Sequence, residues 1–251
     1  MSTNIYWMYE NKMENVDRLR PAHTVLSGGT ADLYDFDLNT QYKGTCARGT
    51  HSLYAYFNGT GIHCDTVVLV SNPSMVGTFA VWWGTRLLGG WSGANCAIHP
   101  SGTTLLTWIG TVVYVKCFAF RWHLDVRNDA TANELFLGKR LELSSNPLYP
   151  FHKEETNDVT IGETTKGVRH SYHNFDRRSW YFQYEGISDS DKESVESMVD
   201  YCEGSYKPLW FTLDPNTPEE TEFVRFSTDI FNFEEIVSGY WRVDLPLEQE
   251  L

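Results

Sequence analysis

One capped helix set among strand-like runs constrains what the stretch from Arg169 to Leu251 can build. Ser188-Asp189-Ser190-Asp191 has the form of a capping box, in which Ser188 accepts from the N–H three residues on and Asp191 reaches back. Val195, Met198, Val199 and Cys202 then fall at i, i+3, i+4 and i+7, a single apolar stripe. Gly204 stands where a helix C′ glycine belongs. The spacing predicts a helix over about 189–203. Ser179 to Tyr184, Phe223 to Phe226 and Tyr240 to Leu245 read as strands, and Pro208 to Phe211 and Asp214-Pro215 supply apolar and turn-forming residues between them. The order strand, capped helix, strands, with no catalytic cluster in it, describes a small α+β assembly module rather than an enzyme core.

Charge narrows the partners. The chain has 251 residues, with 33 acidic against 20 basic and a formal net charge of −13. A broad nucleic-acid face needs Lys and Arg to neutralise phosphates, and an anionic membrane surface needs the same. Neither fits, whereas proteins or sugars do. Aromatic residues make up 15% of the chain, which suits strands and interfaces. Met1 to Glu10 lacks an apolar core behind a basic flank, so no signal peptide is expected there. No run approaches the roughly eighteen apolar residues that span a bilayer, so no membrane insertion is expected. Cys46, Cys64, Cys96, Cys117 and Cys202 are odd in number and irregular in spacing, with no Cys-x-x-Cys pair. Reduced, buried thiols are expected rather than disulfides or a zinc site.

Three regions separate by texture: 1–145, 146–168 and 169–251. The first is rich in β-formers, Gly, Ser and Thr. Its strand candidates are 31–36, 52–57, 66–70, 79–83, 103–108 and 112–121, the last broken only by Lys116. Turn signals at Asn58-Gly59, Asn72-Pro73, Gly89-Gly90 and Pro100-Ser101-Gly102 divide them. Short strands with frequent turns predict an antiparallel sandwich or jelly roll. Leu135 to Gly138 and Leu141 to Leu143 are further strand fragments. After Pro147 and Pro150, the polar run His152 to Lys166 has no period and reads as an exposed connector or extended arm.

No catalytic or cofactor site can be assembled. Gly90-Trp91-Ser92-Gly93-Ala94 nearly spells a nucleophile elbow, but Ala94 replaces the final glycine and the flanks lack a strand-to-helix signal, so a turn is expected. None of the eight histidines forms a His-x-x-x-His or His-Glu-x-x-His spacing, which leaves no metal motif. Asp35 and Asp37 would share one strand face, too close for an acid and base flanking a sugar. Trp82 and Trp83 point to opposite faces of a strand, so one can be core and the other exposed. Trp83 and Trp91, beside the Gly-rich segment 84–93, are candidates to stack on a sugar or anchor a partner, against plain core filling.

The C-terminal module resembles a domain of the distal and minor tail proteins of tailed bacteriophages. The resemblance lies in Arg177-Arg178-Ser179-Trp180-Tyr181-Phe182, the capped helix, Lys207-Pro208-Leu209-Trp210-Phe211, Asp214-Pro215, Val224-Arg225-Phe226 and Tyr240 to Glu248. The N-terminal region looks like a galactose-binding-like, discoidin-type jelly roll. The residues are His63 to Pro73, Phe120 to Val126 and Leu135 to Leu143.

Together these imply a mainly β protein: an antiparallel jelly-roll sandwich, then a tail-ring barrel or sandwich with one flanking helix. They imply a non-enzymatic virion structural protein, assembled in the host cytoplasm into a trimeric or hexameric ring between the tail tube and the tip or hub proteins. Arg177, Arg178, Trp180, Trp210, Arg225, Trp241 and Arg242 are the candidate ring contacts. Arginine's planar fork suits such contacts, and ordinary surface pairs remain the alternative for those arginines. The other reading is a carbohydrate-binding protein whose jelly roll attaches to host-surface glycans.

Overall fold

The computed structural model describes residues 5–16, 18–21, 25–27, 34–35, 42–44, 49–57, 61–71, 77–84, 92–95, 97–98, 104–124, 130–163, 169–214, 217 and 221–250. Among these residues the protein is mainly β with one α-helix. It divides into two compact units.

One unit comprises Thr3–Glu142 and Trp210–Thr221. Its centre is an antiparallel β-sandwich of jelly-roll type. One sheet orders Glu134–Gly138, Ile62–Ser71, Thr104–Val115 and Ala97–Ile98; another orders Arg18–Pro21, Gly49–Tyr56, Cys117–Leu124, Gly77–Gly84 and Ser92–Asn95. A third, small sheet joins Ala130–Ala132, Tyr42–Gly44 and Val25–Ser27. The strand period decides the faces. Leu53, Ala55 and Phe57 are buried while Tyr54 and Tyr56 between them are half-buried. Glu134–Gly138 is buried throughout.

The run 112–121 is not one strand, as expected, but parts of two. A bend at Lys116 ends Thr104–Val115 in one sheet and starts Cys117–Leu124 in the other. The backbone of Lys116 is satisfied on both sides: its N–H donates to the Gly84 carbonyl at 3.0 Å, and its carbonyl accepts from Phe57 at 2.9 Å. The charged residue marks where the chain changes sheets. Of the candidate strand 31–36, Tyr34 and Asp35 form a bend and the rest lies outside the described residues. Ser92 opens a strand, where a turn was expected.

A buried asparagine closes the edge of this unit. The Asn11 side-chain amide donates to the Leu135 carbonyl at 2.9 Å, and its oxygen accepts from the N–H groups of Leu137 and Met13, each at 3.1 Å. Strand Tyr6–Met8 then pairs with Leu141–Glu142 on one side, and on the other in the register Tyr6–Thr212, Trp7–Phe211, Met8–Trp210. Trp210 to Thr212 therefore belong to this unit, although the sequence places them with the C-terminal module.

The other unit is built on Leu143–Leu209 and Glu222–Leu251. Its antiparallel strands run in the order Glu222–Phe226, Tyr240–Gln249, Arg169–Ser188, His152–Glu163, with Glu234–Val237 also on Tyr240–Gln249. Alternate residues Trp180, Phe182 and Tyr184 are buried, as are Val243, Leu245 and Leu247 on the neighbouring strand. The run expected as a connector, His152 to Lys166, holds the strand His152–Glu163. It lacks an apolar period because nearly all its described side chains face water.

The helix spans Asp189–Cys202. Ser188 caps it as expected, accepting from the Asp191 N–H at 3.2 Å. Asp191 does not complete the box by bonding Ser188; its carboxylate accepts from the Ser144 N–H and hydroxyl. Val195, Met198 and Cys202 are buried. At the other end Glu203 and Gly204 both take the left-handed conformation. A Cβ on Gly204 would stand 2.7 Å from an Asp229 carboxylate oxygen, so both backbone and space require glycine.

Asn11→Ala should lower stability by about 2–3 kcal/mol in urea unfolding, because buried backbone groups lose their partner. Ser188→Ala should cost about 1 kcal/mol. Cys64, Cys117 and Cys202 are free and buried. Burial pushes the Cys64 and Cys202 thiols up to about 12, with the Asp65 charge adding at Cys64 and Lys207 opposing at Cys202. Burial also raises Cys117, partly offset by its bond to the Gly84 carbonyl. These groups stay neutral thiols at mildly alkaline pH. Alkylation followed by peptide mass mapping should leave all three unmodified in the native protein and modify them in denaturant.

Candidate functional site

The strand Arg169–Ser188 is 20 residues long, and its two halves live in different surroundings. From Ser179 onward it pairs with Tyr240–Gln249, inside the sheet. From Arg169 to Arg178 its described strand pairing lies on His152–Glu163, and at the root the Arg178 N–H also donates to the Gln249 side chain at 3.3 Å. The pairs from Glu155–Arg178 to Glu163–Arg169 thus form a two-stranded arm, roughly 30 Å long at the usual rise of a strand.

The arm carries apolar groups into water. Ile161 is 55% and Tyr172 64% exposed, and Val159 and Phe175 are also exposed. Val159 and Ile161 share one face, while Tyr172, opposite Thr160, lies on the other. The register slips between Asp158 and Val159. Asn174 fills that bulge, donating to Asp158 Oδ2 at 3.1 Å and Thr160 Oγ1 at 2.8 Å.

Trp180 and Trp210 are 2% and 3% exposed, so they are core residues of their own units and not surface contacts. Arg177 and Arg178 point to opposite faces of their strand. Arg177 reaches Glu248 at 3.2 Å and lies over the Phe175 ring. Arg178 bridges Glu155 and Glu222, each at 3.2 Å. Arg225 pairs with Glu250 and also donates to the Ser205 carbonyl at 3.3 Å. Trp241 donates from its indole to Asp189 Oδ1 at 2.7 Å and carries the Lys192 ammonium over its ring. Arg242 is half-buried, opposite Glu185 and Glu234 in the register. Arg177, Arg178 and Arg225 thus each have a carboxylate partner within the chain.

A hollow of about 440 Å³ lies against this sheet, and the nearly buried Trp180 and Leu247 contribute to its wall. His152, Tyr181 and Pro246 stand in one cross-strand row, extended by Ser227, whose N–H donates to the Pro246 carbonyl at 3.0 Å. Glu154 and Ser179 form the next row. The Tyr181 hydroxyl bonds to Asp244, which raises its pKa; desolvation and the Asp244 charge add, and Arg242 opposes. Asp244 is held in turn by Gln183 at 2.9 Å.

On the jelly-roll unit Trp83 stands in register with Phe118 and Ala55, both buried, and so shares the core side of its sheet. Trp82 stands in the row of Tyr54 and Ala119 on the opposite face, beside the stacked rings of Tyr54 and Tyr56. Both tryptophans are half-buried. Trp91 lies outside the described residues. Sequence pattern assigned the two tryptophans to opposite faces but could not say which face was core.

No protein-family model and no curated protein matches the chain. Solved structures to which it is similar include the CBM32-1 and CBM32-2 domains of Clostridium perfringens ZmpB in complex with GalNAc, at 18% identity and a TM-score of 0.44, covering 53% of this chain and 35% of that one. Another clostridial ZmpB chain, which adds the M60 catalytic domain, is spanned over only 14% of its length. The chitosan-binding module 1 of the Paenibacillus sp. IK-5 chitosanase/glucanase matches at 10% identity and TM-score 0.41, covering 51% of this chain and 98% of the module.

Trp180→Ala should cost about 3–5 kcal/mol in urea unfolding, as expected of a buried aromatic. Arg177→Ala and Arg178→Ala should each cost under about 1 kcal/mol, because their partners are partly exposed.

Proposed function

We propose that this protein is a structural component of a bacteriophage tail, one that self-associates into a closed ring at the distal tail and works by assembly rather than by catalysis. The observation that carries the reading is the two-stranded arm. An isolated ribbon solvated on both faces is marginal on its own. This one also exposes Val159, Ile161, Tyr172 and Phe175, and leaves the outer backbone edge of His152–Glu163 without a described strand partner. Such an edge is a template for pairing with another chain. A head-to-tail contact through it generates a ring when the rotation closes. The likeness of the C-terminal sequence to tail-ring domains supplies the setting, with tube and tip proteins as neighbours. The structures named above are carbohydrate-binding modules, and none of them is a tail protein.

A second reading rests on the other unit. Its sheet places Trp82, Tyr54 and Tyr56 on the face away from the sandwich core, where aromatic rings can meet the apolar face of a sugar. Under this reading the jelly roll attaches to host glycans, alone or while the other unit builds a ring.

Light scattering on the full chain, with negative-stain images, tests the main reading. Wild type should give a trimer or hexamer with a central hole, and Val159→Lys combined with Ile161→Lys should remain a single chain with an unchanged circular dichroism spectrum. A monomer at all concentrations, or assembly by the double variant as in wild type, would contradict it. For the second reading, a glycan array should show binding that Trp82→Ala loses and Trp83→Ala keeps.

A further inference from the structure

We propose that the hollow against the sheet of the C-terminal unit is a binding site for one uncharged pyranose. It belongs to neither the arm nor the jelly roll. Its volume of about 440 Å³ lies in the range, roughly 300–1,000 Å³, of small-ligand pockets.

The lining suits a ring with hydroxyls on its rim and C–H groups on its face. Tyr181 is 38% exposed and, with Pro246, gives an apolar surface. Around it stand the Glu154 carboxylate, the Ser179 and Ser227 hydroxyls and the His152 imidazole. A carboxylate is an acceptor only, and bonds to a charged acceptor are roughly twice as strong as neutral ones. Glu154 can therefore take one or two sugar hydroxyls, and its charge disfavours anionic ligands. Serine and imidazole groups both donate and accept, which matches the dual character of a hydroxyl.

The site is also held before any ligand arrives. His152, Tyr181 and Pro246 come from adjacent strands of one sheet, fixed in a single row by the backbone ladder, and Ser227, just past the end of Glu222–Phe226, joins the row through its N–H to the Pro246 carbonyl. The Tyr181 ring is tethered through its hydroxyl to Asp244, and Asp244 is fixed by Gln183. Groups mounted on strands and locked by outer hydrogen bonds lose little freedom on binding.

Saturation-transfer NMR on the full chain with methyl glycosides of glucose, galactose and N-acetylgalactosamine tests the assignment, with argininamide as the cationic competitor. At least one glycoside should receive saturation. Glu154→Gln, a near-isosteric change on an exposed strand, should weaken binding about tenfold by removing a charge-assisted bond, and Tyr181→Ala should abolish it. Trp82→Ala should leave it intact, which separates this site from any on the jelly roll. Light scattering of the same variants should show unchanged assembly. No transfer from any glycoside, equal transfer in the variants, or displacement by argininamide in preference to the glycosides would overturn the proposal.

Discussion

A β-strand that leaves its sheet halfway along must find another partner for what it exposes. The 20-residue strand Arg169–Ser188 is such a strand. Its second half is locked between neighbours and buries Trp180, Phe182 and Tyr184. Its first half has one described partner strand, and Tyr172 and Phe175 on it are exposed. Backbone pairing alone does not make a ribbon stable, since an isolated hairpin is marginal. The arm is held at its root by the Arg178 bridge to Glu155 and Glu222 and by the Arg177–Glu248 pair. Beyond the root the Asn174 side chain bridges the bulge to Asp158 and Thr160.

The rest of this unit is arranged to keep that root rigid. The helix begins directly where the strand ends, with Ser188 as both last strand residue and cap. Val195, Met198 and Cys202 of its apolar stripe are buried, and Asp191 ties its first turn to Ser144. At its far end Gly204 and Ser205 fold against Asp229, whose carboxyl is held below the usual range by hydrogen bonds from the Ser205 hydroxyl and N–H. The jelly-roll unit follows a different logic, in which the buried core is specified by apolar strands and one asparagine that makes three hydrogen bonds to buried backbone groups.

Much of this was legible in the sequence where local chemistry and burial agree. The helix was readable from Ser188, its apolar spacing and Gly204, because caps and period act within a few residues. The sandwich was readable from short apolar strands and turn residues. The arm's strand was not, because Lys153-Glu154-Glu155-Thr156-Asn157-Asp158 gains no apolar period when neither face is buried. The alternation of Val159 and Ile161 was its faint signal. Trp180 and Trp210 were misplaced at a surface because an aromatic at an interface and one in a core have the same sequence signature. Asn11 gave no signal at all, since its partners Leu135 and Leu137 are set by tertiary structure.

Hydrogen exchange read by mass spectrometry, at a dilute and a concentrated condition, tests most directly whether the arm is an assembly element. Amides of 155–163 and 169–178 should exchange quickly in the dilute single chain and become protected on concentration, while those of 180–187 stay protected in both. Equal protection of the arm at every concentration, or an assembled state in which the arm still exchanges freely, would contradict the assembly role.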